Sequence, residues 1–317
     1  NSILSLFLSA FHFFVVTLFI YYSNLCINEA IPHVCGMQFL LHNGVRPNSN
    51  WRYKGSYPRK KATVGVAILY QDKIFTLSDN QQYPLMSLFK FHVTVAALKK
   101  MDREHIPLDS TVCITREQMH ENTYSPLRNK YPNQGIHISL RDIITYTIIY
   151  SDNNTCDWLI DFAGGIKKVD TFIKSLGIKK LNLTETEHSM HENIMNSYNN
   201  WSSPLSVVQL IKKIYTDEIL SATSFAFLEE TMLNCSSGEN KLKAGLPPNV
   251  KIGHKTGHSD RTSDGLQISE TDAGVIYLPD GERCYIAVLI KNSLESDETN
   301  ARIMADITRV IYHSLQK

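Results

Sequence analysis

The sequence predicts an α+β fold with two lobes: a mostly antiparallel five-stranded sheet flanked by helices, and an all-helical lobe beside it. Strand-like segments cluster near residues 61–84 and beyond residue 240, whereas helical periodicity fills the sequence between them. The 317 residues are enough for two lobes that share one interface. We therefore assign residues 61–84 and 240–317 to an α/β lobe and residues 85–239 to the all-helical lobe, with a functional cleft expected between the two.

The first two strands are predicted to form a hairpin. Residues 62–70 are rich in valine and other strand-forming residues, and Gln71-Asp72 interrupts this run before a second one at residues 73–77. Three more strands are predicted late in the chain, at residues 250–254, 273–278 and 284–291, with a turn at Pro279-Asp280-Gly281. The apolar run 250–254 is typical of an inner strand that lines a cleft.

The central helices are predicted from a change in the spacing of the apolar residues. After Pro84 the apolar residues take helical spacing, with Phe89 and Val93 on one side of a helix that ends near residues 101–102. Ser203-Pro204 is an N-cap followed by proline at the first helical position, so another helix begins there. Further helices are predicted at residues 140–149, 155–164, 166–176 and 298–314.

The N-terminal part of the chain carries an export pattern. Residues 3–22 are apolar and contain no charged side chain, which is typical of a signal peptide or a membrane anchor. We assign residues 1–30 to this signal or anchor and expect an exported, periplasmic protein, with or without attachment to the membrane. Residues 31–60 form a divergent N-terminal segment, since residues 44–60 hold two prolines, two glycines and little helical periodicity.

Charge and metal-ligand patterns argue against nucleic-acid binding and leave a metal enzyme as a weak alternative. The net charge is +1 and no basic stripe stands out, so nucleic acid is not an expected partner. No Cys-x-x-Cys occurs, and neither histidine pair, His188 with His191 or His254 with His258, matches a His-x-His-x-Asp or His-Glu-x-x-His pattern. We expect no metal and no cofactor.

Three short motifs in a fixed order carry the chemistry: Ser87-Leu88-Phe89-Lys90, Ser151-Asp152-Asn153 and Lys255-Thr256-Gly257. Two of them have second copies, because Ser314 and Lys317 repeat the first spacing and residues 78–80 repeat the second motif. The copy at Ser314 and Lys317 lies on an exposed helix at the end of the sequence, and the copy at residues 78–80 lies in a turn. Order and structural setting therefore identify the functional set.

Ser87 lies where the strand-like sequence pattern ends and the helical pattern begins. A helix N-terminus leaves the Ser87 N–H free to donate to an oxyanion, and the helix dipole favours negative charge there. Lys90 lies one turn further on the same face, within reach of the Ser87 hydroxyl. Its ammonium can lower the cost of forming the alkoxide, or the neutral amine can act as the base.

The other two motifs supply proton transfer and substrate contacts. The connection between two helices can turn Ser151 and Asn153 toward the cleft, where the hydroxyl can pass a proton and the amide can hold the substrate. Lys255 and Thr256 end a predicted strand and can bind a substrate carboxylate. Gly257 allows a close approach of backbone to substrate, and the N–H of the next residue, His258, is the expected second oxyanion donor.

With these motifs, the sequence resembles the class A serine β-lactamases from about residue 61 to the C-terminus. Tyr124-Ser125-Pro126 resembles the aromatic gate beside the cleft of that family. The resemblance also implies a general-base glutamate in an omega-shaped loop, and we choose Glu187 over Glu185. The following Met190-His191 pair resembles the extended-spectrum and cephalosporinase branch, although most members have asparagine in place of His191. Lys241 is the best counterpart of the arginine that often binds the substrate carboxylate.

The resemblance implies hydrolysis of the β-lactam ring of penicillins and cephalosporins through a serine acyl-enzyme, which gives antibiotic resistance. Lys90 or a water held by Glu187 takes the proton in acylation, and Glu187 activates the water of deacylation. The expected partner is a small β-lactam, and we expect a monomer. One alternative is a penicillin-binding D-alanyl-D-alanine peptidase or transpeptidase, which lacks the deacylating glutamate; another is a catalytically inactive remnant of the family.

Overall fold

The computed structural model describes residues 61–316, in which three strands come first, three long strands and a helix come last, and most of the helices lie between them. The strands are β1 (Thr63–Tyr70), β2 (Lys73–Leu77), β3 (Tyr83–Pro84), β4 (Thr111–Ile114), β5 (Ile136–Ser139), β6 (Leu181–Asn182), β7 (Trp201–Ser202), β8 (Ile252–His258), β9 (Gln267–Tyr277) and β10 (Arg283–Ser293). The α-helices are α1 (Phe89–Glu104), α2 (Pro126–Lys130), α3 (Leu140–Ile148), α4 (Asn153–Phe162), α5 (Ile166–Ser175), α6 (Glu187–Glu192), α7 (Pro204–Thr216), α8 (Ala222–Leu233) and α9 (Asp297–Leu315). Short 3₁₀ helices occupy Met86–Leu88, Ile194–Asn199 and Leu242–Gly245.

The predicted five-stranded sheet is confirmed, with the order β2-β1-β10-β9-β8 and antiparallel neighbours throughout. Its strands come from both ends of the described chain, since Thr63 pairs with Lys291 and Tyr70 with Cys284. The β1–β2 hairpin turns at Gln71, which has a left-handed φ of 51°. One prediction was wrong: β8 is an edge strand rather than an inner one, and helix α8 packs against it.

The helices with clear periodicity also occur where the sequence predicts them. Helix α7 begins after Ser203, whose hydroxyl accepts a hydrogen bond from the N–H of Ser206 at 3.3 Å, with Pro204 at the first position. Helix α1 ends at His105 in the left-handed conformation. Helices α2, α6 and α8 were not predicted.

The stretch 85–239 is mainly helical rather than all-helical. Strands β4 and β5 form a separate antiparallel pair, and β6 and β7 join β3 in a small three-stranded sheet. These strands have two to four residues, too few to show a period of two in the sequence. The lobe boundaries at residues 84 and 240 stay a prediction.

The central sheet is buried on both faces. Ala67 and Leu69 of β1 belong to the same hydrophobic cluster as α1 and α7, whereas Val66 and Ile68, on the opposite face, are buried outside that cluster. Helix α9 packs against β10 and supplies buried residues such as Met304 that also lie outside the cluster. Helices therefore cover both sides of the sheet, and the cleft opens beside its edge strand β8.

The predicted export signal or anchor (1–30) and the divergent segment (31–60) lie outside the described residues. Within residues 61–316, no helix combines the length and the apolar character needed to cross a membrane.

Helix α1 carries a buried histidine, His92, whose two ring nitrogens form no hydrogen bond of ordinary geometry within residues 61–316, although the backbone of Leu88 and Phe89 in the preceding turn lies close and partly favours the protonated ring. Burial lowers the pKa of His92 from 6.5 to about 4. An unfolded chain takes up a proton on this ring below its ordinary pKa, whereas the folded chain does not. The protein therefore loses stability as the pH falls through this window.

We predict that His92→Leu reduces the acid sensitivity of the fold. Between about pH 7.5 and about pH 4.5, the difference in unfolding free energy between variant and wild type should change by about 2.5 kcal/mol in favour of the variant. Urea unfolding at the two pH values measures it. His137→Leu, which removes an exposed histidine on β5, is the matched control and should leave the pH dependence unchanged. Equal pH dependence in the His92 variant and wild type would contradict the prediction.

Candidate active site

Ser87 lies in the 3₁₀ turn that leads into α1, as the sequence predicts. The preceding residue, Met86, has a left-handed φ of 47°, an unfavourable conformation for a side chain of this kind. Strand β9 holds the turn in place: Thr271 Oγ1 donates to the carbonyl of Leu85 at 2.9 Å, and Ser269 Oγ donates to the carbonyl of Pro84 at 2.5 Å. The sheet therefore fixes the backbone that presents the Ser87 hydroxyl.

Lys90 is completely buried in the first turn of α1 and is surrounded by oxygen atoms. Its Nζ donates to Ser87 Oγ at 2.8 Å, to the Ser151 carbonyl at 2.9 Å and to Asn153 Oδ1 at 2.6 Å. It also lies 2.7 Å from Oε1 of Glu187 in an ion pair. A buried ammonium needs such partners because leaving water is costly for a charge.

Ser151 stands between α3 and α4 with a left-handed φ of 58°. Its hydroxyl accepts hydrogen bonds from Lys255 Nζ at 3.0 Å and from Lys90 Nζ at 3.4 Å. Asn153 donates its N–H to the carbonyl of Tyr124 at 3.0 Å, which brings the exposed Tyr124 to the same cleft.

Asp152, the middle residue of the second motif, has a positioning role. Its buried carboxylate caps α4 through the N–H of Thr155 at 3.0 Å. The same side chain accepts from Ser125 Oγ and from the N–H of Leu127, both at 2.8 Å. One carboxylate thus fixes the N-terminal ends of α2 and α4, and with them Tyr124 and Asn153.

Glu187 is the first residue of α6 and is 6% exposed. Its Oε1 lies 3.5 Å from Ser87 Oγ. The alternative carboxylate, Glu185, is bonded instead to Ser189 Oγ at 2.6 Å and to Asn199 Nδ2 at 2.9 Å. Of the two glutamates, only Glu187 reaches the serine.

Helix α6 is held by Asp157 of α4, which no sequence motif indicated. Its two carboxylate oxygens accept from the N–H groups of Glu187 at 2.7 Å and His188 at 2.8 Å. Burial raises the pKa of Asp157 to about 7, and the nearby charge of Glu187 acts in the same direction.

The loop around Glu187 is closed by Asn200. Asn200 Oδ1 accepts from the N–H groups of Thr184 and Glu185, and its Nδ2 donates to the Glu185 carbonyl at 2.9 Å. These bonds join the two ends of the loop, while Asp157 holds its middle.

The third motif lies on β8, with Lys255 and Thr256 buried. Burial lowers the pKa of Lys255 to about 8, and the charges of Lys90 and Lys241 act in the same direction. Thr256 Oγ1 is 2.6 Å from the hydroxyl of Ser237, another residue that the sequence did not single out.

Gly257 has a packing role that the sequence did not reveal. A Cβ atom at this position would lie 2.4 Å from the Leu85 carbonyl oxygen and 3.0 Å from the Leu88 nitrogen. The absence of a side chain lets β8 approach the turn that carries Ser87. Its close approach to substrate stays a prediction.

These elements enclose a cleft of about 600 Å³. Nine residues from the predicted site line it: Ser87, Tyr124, Ser151, Asn153, Glu187, Lys241, Thr256, Gly257 and His258. Lys90 and Lys255 lie buried behind this surface and contact Ser87 and Ser151. The structure thus brings every predicted site residue to one place, although their individual roles stay predictions.

Lys241 has a partner that the sequence did not indicate. It forms an ion pair with Glu270 of β9, and the second oxygen of that carboxylate lies 2.6 Å from Nδ1 of His258. Burial raises the pKa of Glu270, but its bonds to His258 and Lys241 outweigh burial and keep the pKa below its ordinary value. No local pattern marks Glu270, because its two charged partners, Lys241 and His258, come from other elements.

A serine hydroxyl bonded to a buried lysine, with a carboxylate nearby and two further motifs around one cleft, defines the class of serine hydrolases that form an acyl-enzyme. Similarity to known proteins identifies one family within this class. The sequence model of the β-lactamase enzyme family matches residues 54–315, and the chain belongs to this family.

Relatives agree in sequence and in structure. A β-lactamase from Bacteroides uniformis is 46% identical over 260 residues, which cover 81% of this chain and 88% of the relative. The extended-spectrum β-lactamase PER-1 from Pseudomonas aeruginosa is 33% identical over 255 residues, covering 80% and 82%. The crystal structure of a class A β-lactamase from Bacteroides cellulosilyticus has a TM-score of 0.79 and 46% identity, covering 81% of this chain and 93% of that one. These likenesses confirm the two-lobe α+β fold.

We predict that Gly257→Ala separates β8 from the turn that carries Ser87. The new methyl group meets backbone atoms of this turn, so the unfolding free energy should fall by about 1–3 kcal/mol. The rate at which Ser87 is acylated should also fall, and by more than the loss of stability alone would cause, because the serine is displaced. Urea unfolding and stopped-flow acylation measure the two effects.

The matched control is Gly253→Ala on the same strand. Its nearest neighbour would be Met232 Cβ at 3.4 Å, an ordinary contact. This variant should keep its stability or gain up to about 1 kcal/mol. Equal effects of the two substitutions would show that the approach at Gly257 is not special.

Proposed function

We propose that this protein hydrolyses the β-lactam ring of penicillins and cephalosporins through an acyl-enzyme on Ser87, and so confers antibiotic resistance. The observation that carries the proposal is the contact of one cleft hydroxyl with both Lys90, at 2.8 Å, and Glu187, at 3.5 Å. A nucleophile next to two groups that can take its proton is suited to attack on an amide carbonyl.

Ser87 attacks the β-lactam carbonyl and its proton passes to Lys90 or, through a water, to Glu187. Within the ion pair, in which Lys90 Nζ and Glu187 Oε1 lie 2.7 Å apart, the Glu187 carboxylate can receive the proton directly through the water, whereas Lys90 can receive it only after the ammonium has passed its own proton to Glu187. Both routes leave Ser87 as the attacking oxygen.

The remaining groups stabilise the reacting molecule. The N–H groups of Ser87 and His258 donate to the oxyanion, at the start of α1 and on β8 respectively. Ser151 gives its hydrogen to the departing nitrogen and takes a proton in return from one of the two lysine ammonium groups that bond to its oxygen, Lys90 or Lys255. Tyr124 and Asn153 flank the substrate.

The substrate carboxylate meets the β8 side of the cleft. Lys255, Thr256 and Lys241 are the groups of that side that can bind it, and Gly257 leaves room for the backbone approach. The positive charges of Lys255 and Lys241 suit an anion of this kind.

Glu187 distinguishes this proposal from a penicillin-binding peptidase. A peptidase of that kind forms the acyl-enzyme but has no base to activate the water that releases it. Here the Glu187 carboxylate lies beside the serine, and Asp157 and Asn200 hold the loop that carries it. This favours rapid deacylation over permanent labelling.

We further propose a leaning toward cephalosporins, export from the cytoplasm and a monomeric state. Two relatives bear on the first point, since PER-1 and TLA-1 are named extended-spectrum β-lactamases, the latter with a structure of TM-score 0.80 at 39% identity. The apolar run 3–22 supports export, with or without a membrane anchor.

We predict that Glu187→Ala is acylated and then stalls. Loss of the base should slow deacylation by about 10²–10⁴-fold while the acyl-enzyme accumulates. Mass spectrometry of the intact protein after mixing with a chromogenic cephalosporin detects the added mass, and absorbance gives the turnover. Turnover at the wild-type rate would contradict the assignment of Glu187.

Two controls separate the alternatives. Ser87→Ala should neither turn over nor be labelled, and Glu185→Ala, which alters the other carboxylate of the loop, should keep rapid deacylation. A wild-type protein that is labelled once without turnover would indicate a peptidase. A wild-type protein that is neither labelled nor active would indicate an inactive remnant.

A further inference from the structure

A buried carboxylate lies directly behind the part of the cleft that faces the substrate carboxylate. Glu270 of β9 is 2% exposed and has three partners: Lys241 in an ion pair, His258 Nδ1 at 2.6 Å and Gln267 Nε2 at 2.6 Å. Gln267 is fixed in turn, since its Oε1 accepts from Asn300 Nδ2 of α9 at 2.6 Å. The position of Glu270 is therefore set from three sides.

Lys241 and His258 face the cleft, whereas Glu270 does not line it. The Lys241 side chain is 11% exposed and that of His258 is 47% exposed, and both line the cleft wall. An anion entering from solvent therefore meets Lys241 and His258, with their shared counter-charge behind them.

The net charge that Lys241, Glu270 and His258 together present to the cleft depends on whether His258 is protonated. Lys241 and Glu270 neutralise each other, so with a neutral imidazole the three groups carry no net charge. With His258 protonated, they carry one positive charge next to the cleft. Neutral His258 can still donate Nδ1–H to Glu270, so the arrangement survives while its charge changes.

We propose that Glu270, shared between Lys241 and His258, makes the affinity of the cleft for the substrate carboxylate depend on protonation of His258. This inference rests on the proposed function, because it takes the substrate to be a β-lactam that carries a carboxylate. His258 and Glu270 act here as specificity-determining residues: they set how strongly an anionic substrate is held at a given pH.

The surroundings of His258 set the direction of the effect. The hydrogen bond to Glu270 raises the pKa of His258, and this outweighs its partial burial and the charge of Lys241. The charged groups that face His258 or adjoin it are Glu270 on β9, Lys241, Lys255 on its own strand, Asp260 and Arg261 in the following loop, and Asp297 at the start of α9. The protonated form therefore persists above the ordinary pKa of histidine, and affinity should fall as the pH rises through the raised value.

The test measures binding without turnover. Benzylpenicillin binding to a Ser87→Ala protein is followed by calorimetry between about pH 5.5 and about pH 9. Loss of one charge near the bound carboxylate should weaken binding roughly three- to tenfold across the titration of His258. Because Lys255 also titrates, with a pKa of about 8, the same series is run on Ser87→Ala/His258→Asn, which keeps Lys255 and a polar side chain.

A second ligand serves as the control for the anion. The methyl ester of benzylpenicillin has no carboxylate and should show no step that depends on His258. Glu270→Gln should free Lys241 from its ion pair. It should also move the His258-dependent step in affinity to lower pH, because the carboxylate that raises the pKa of His258 is removed. Thermal unfolding checks that this buried substitution has kept the fold.

The outcomes separate the two proposals. A step present in Ser87→Ala, absent from the His258→Asn series and absent for the ester supports the inference. Identical pH profiles for Ser87→Ala and for the double variant Ser87→Ala/His258→Asn overturn it, even if the wild-type enzyme hydrolyses β-lactams. A wild-type protein without hydrolytic activity overturns the proposed function, and a His258-dependent step in binding then still supports the charge linkage.

Discussion

The burial of one ammonium group, that of Lys90, is the constraint on which the site depends. The ammonium lies within hydrogen-bond distance of four oxygen atoms from three separate parts of the chain: that of Ser87 in the 3₁₀ turn before α1, those of Ser151 and Asn153 before and within α4, and that of Glu187 on α6. A lysine charge with no water must have such partners or lose its proton. The fold therefore cannot bury Lys90 without bringing the serine, the second motif and the glutamate together.

A layer of buried acids behind the cleft completes this arrangement. Asp152 fixes the starts of α2 and α4, Asp157 fixes the start of α6, and Glu270 holds the cationic groups beside β8. Each of these carboxylates is satisfied by N–H groups or cations, which compensates for its loss of water. The side chains that line the cleft are thus positioned by groups that do not line it.

The parts of this molecule that were predictable from sequence are those with a local signal. The β1–β2 hairpin and α7 were found because period and capping residues lie within one short window, and the Ser87–Lys90 spacing encodes its own contact. Asp157 was missed because the N–H groups that bind it lie about 30 residues away, and Glu270 because its charged partners lie 12 or more residues away, so these contacts exist only in the folded chain. The apolar run of β8 suggested an inner strand, but its burial comes from α8 and not from a second neighbouring strand.

The two buried lysines also decide where the hydrogen of Ser151 points. A hydroxyl has two lone pairs and one hydrogen, and both Lys255, at 3.0 Å, and Lys90, at 3.4 Å, approach its oxygen as donors. A protonated lysine has no lone pair to accept a bond in return. The hydrogen of Ser151 must therefore turn away from both ammonium groups, and the cleft that Ser151 lines is the open direction. Two cations that hold the oxygen from behind also favour release of that hydrogen, which is the property that the proposed proton transfer to the departing nitrogen requires.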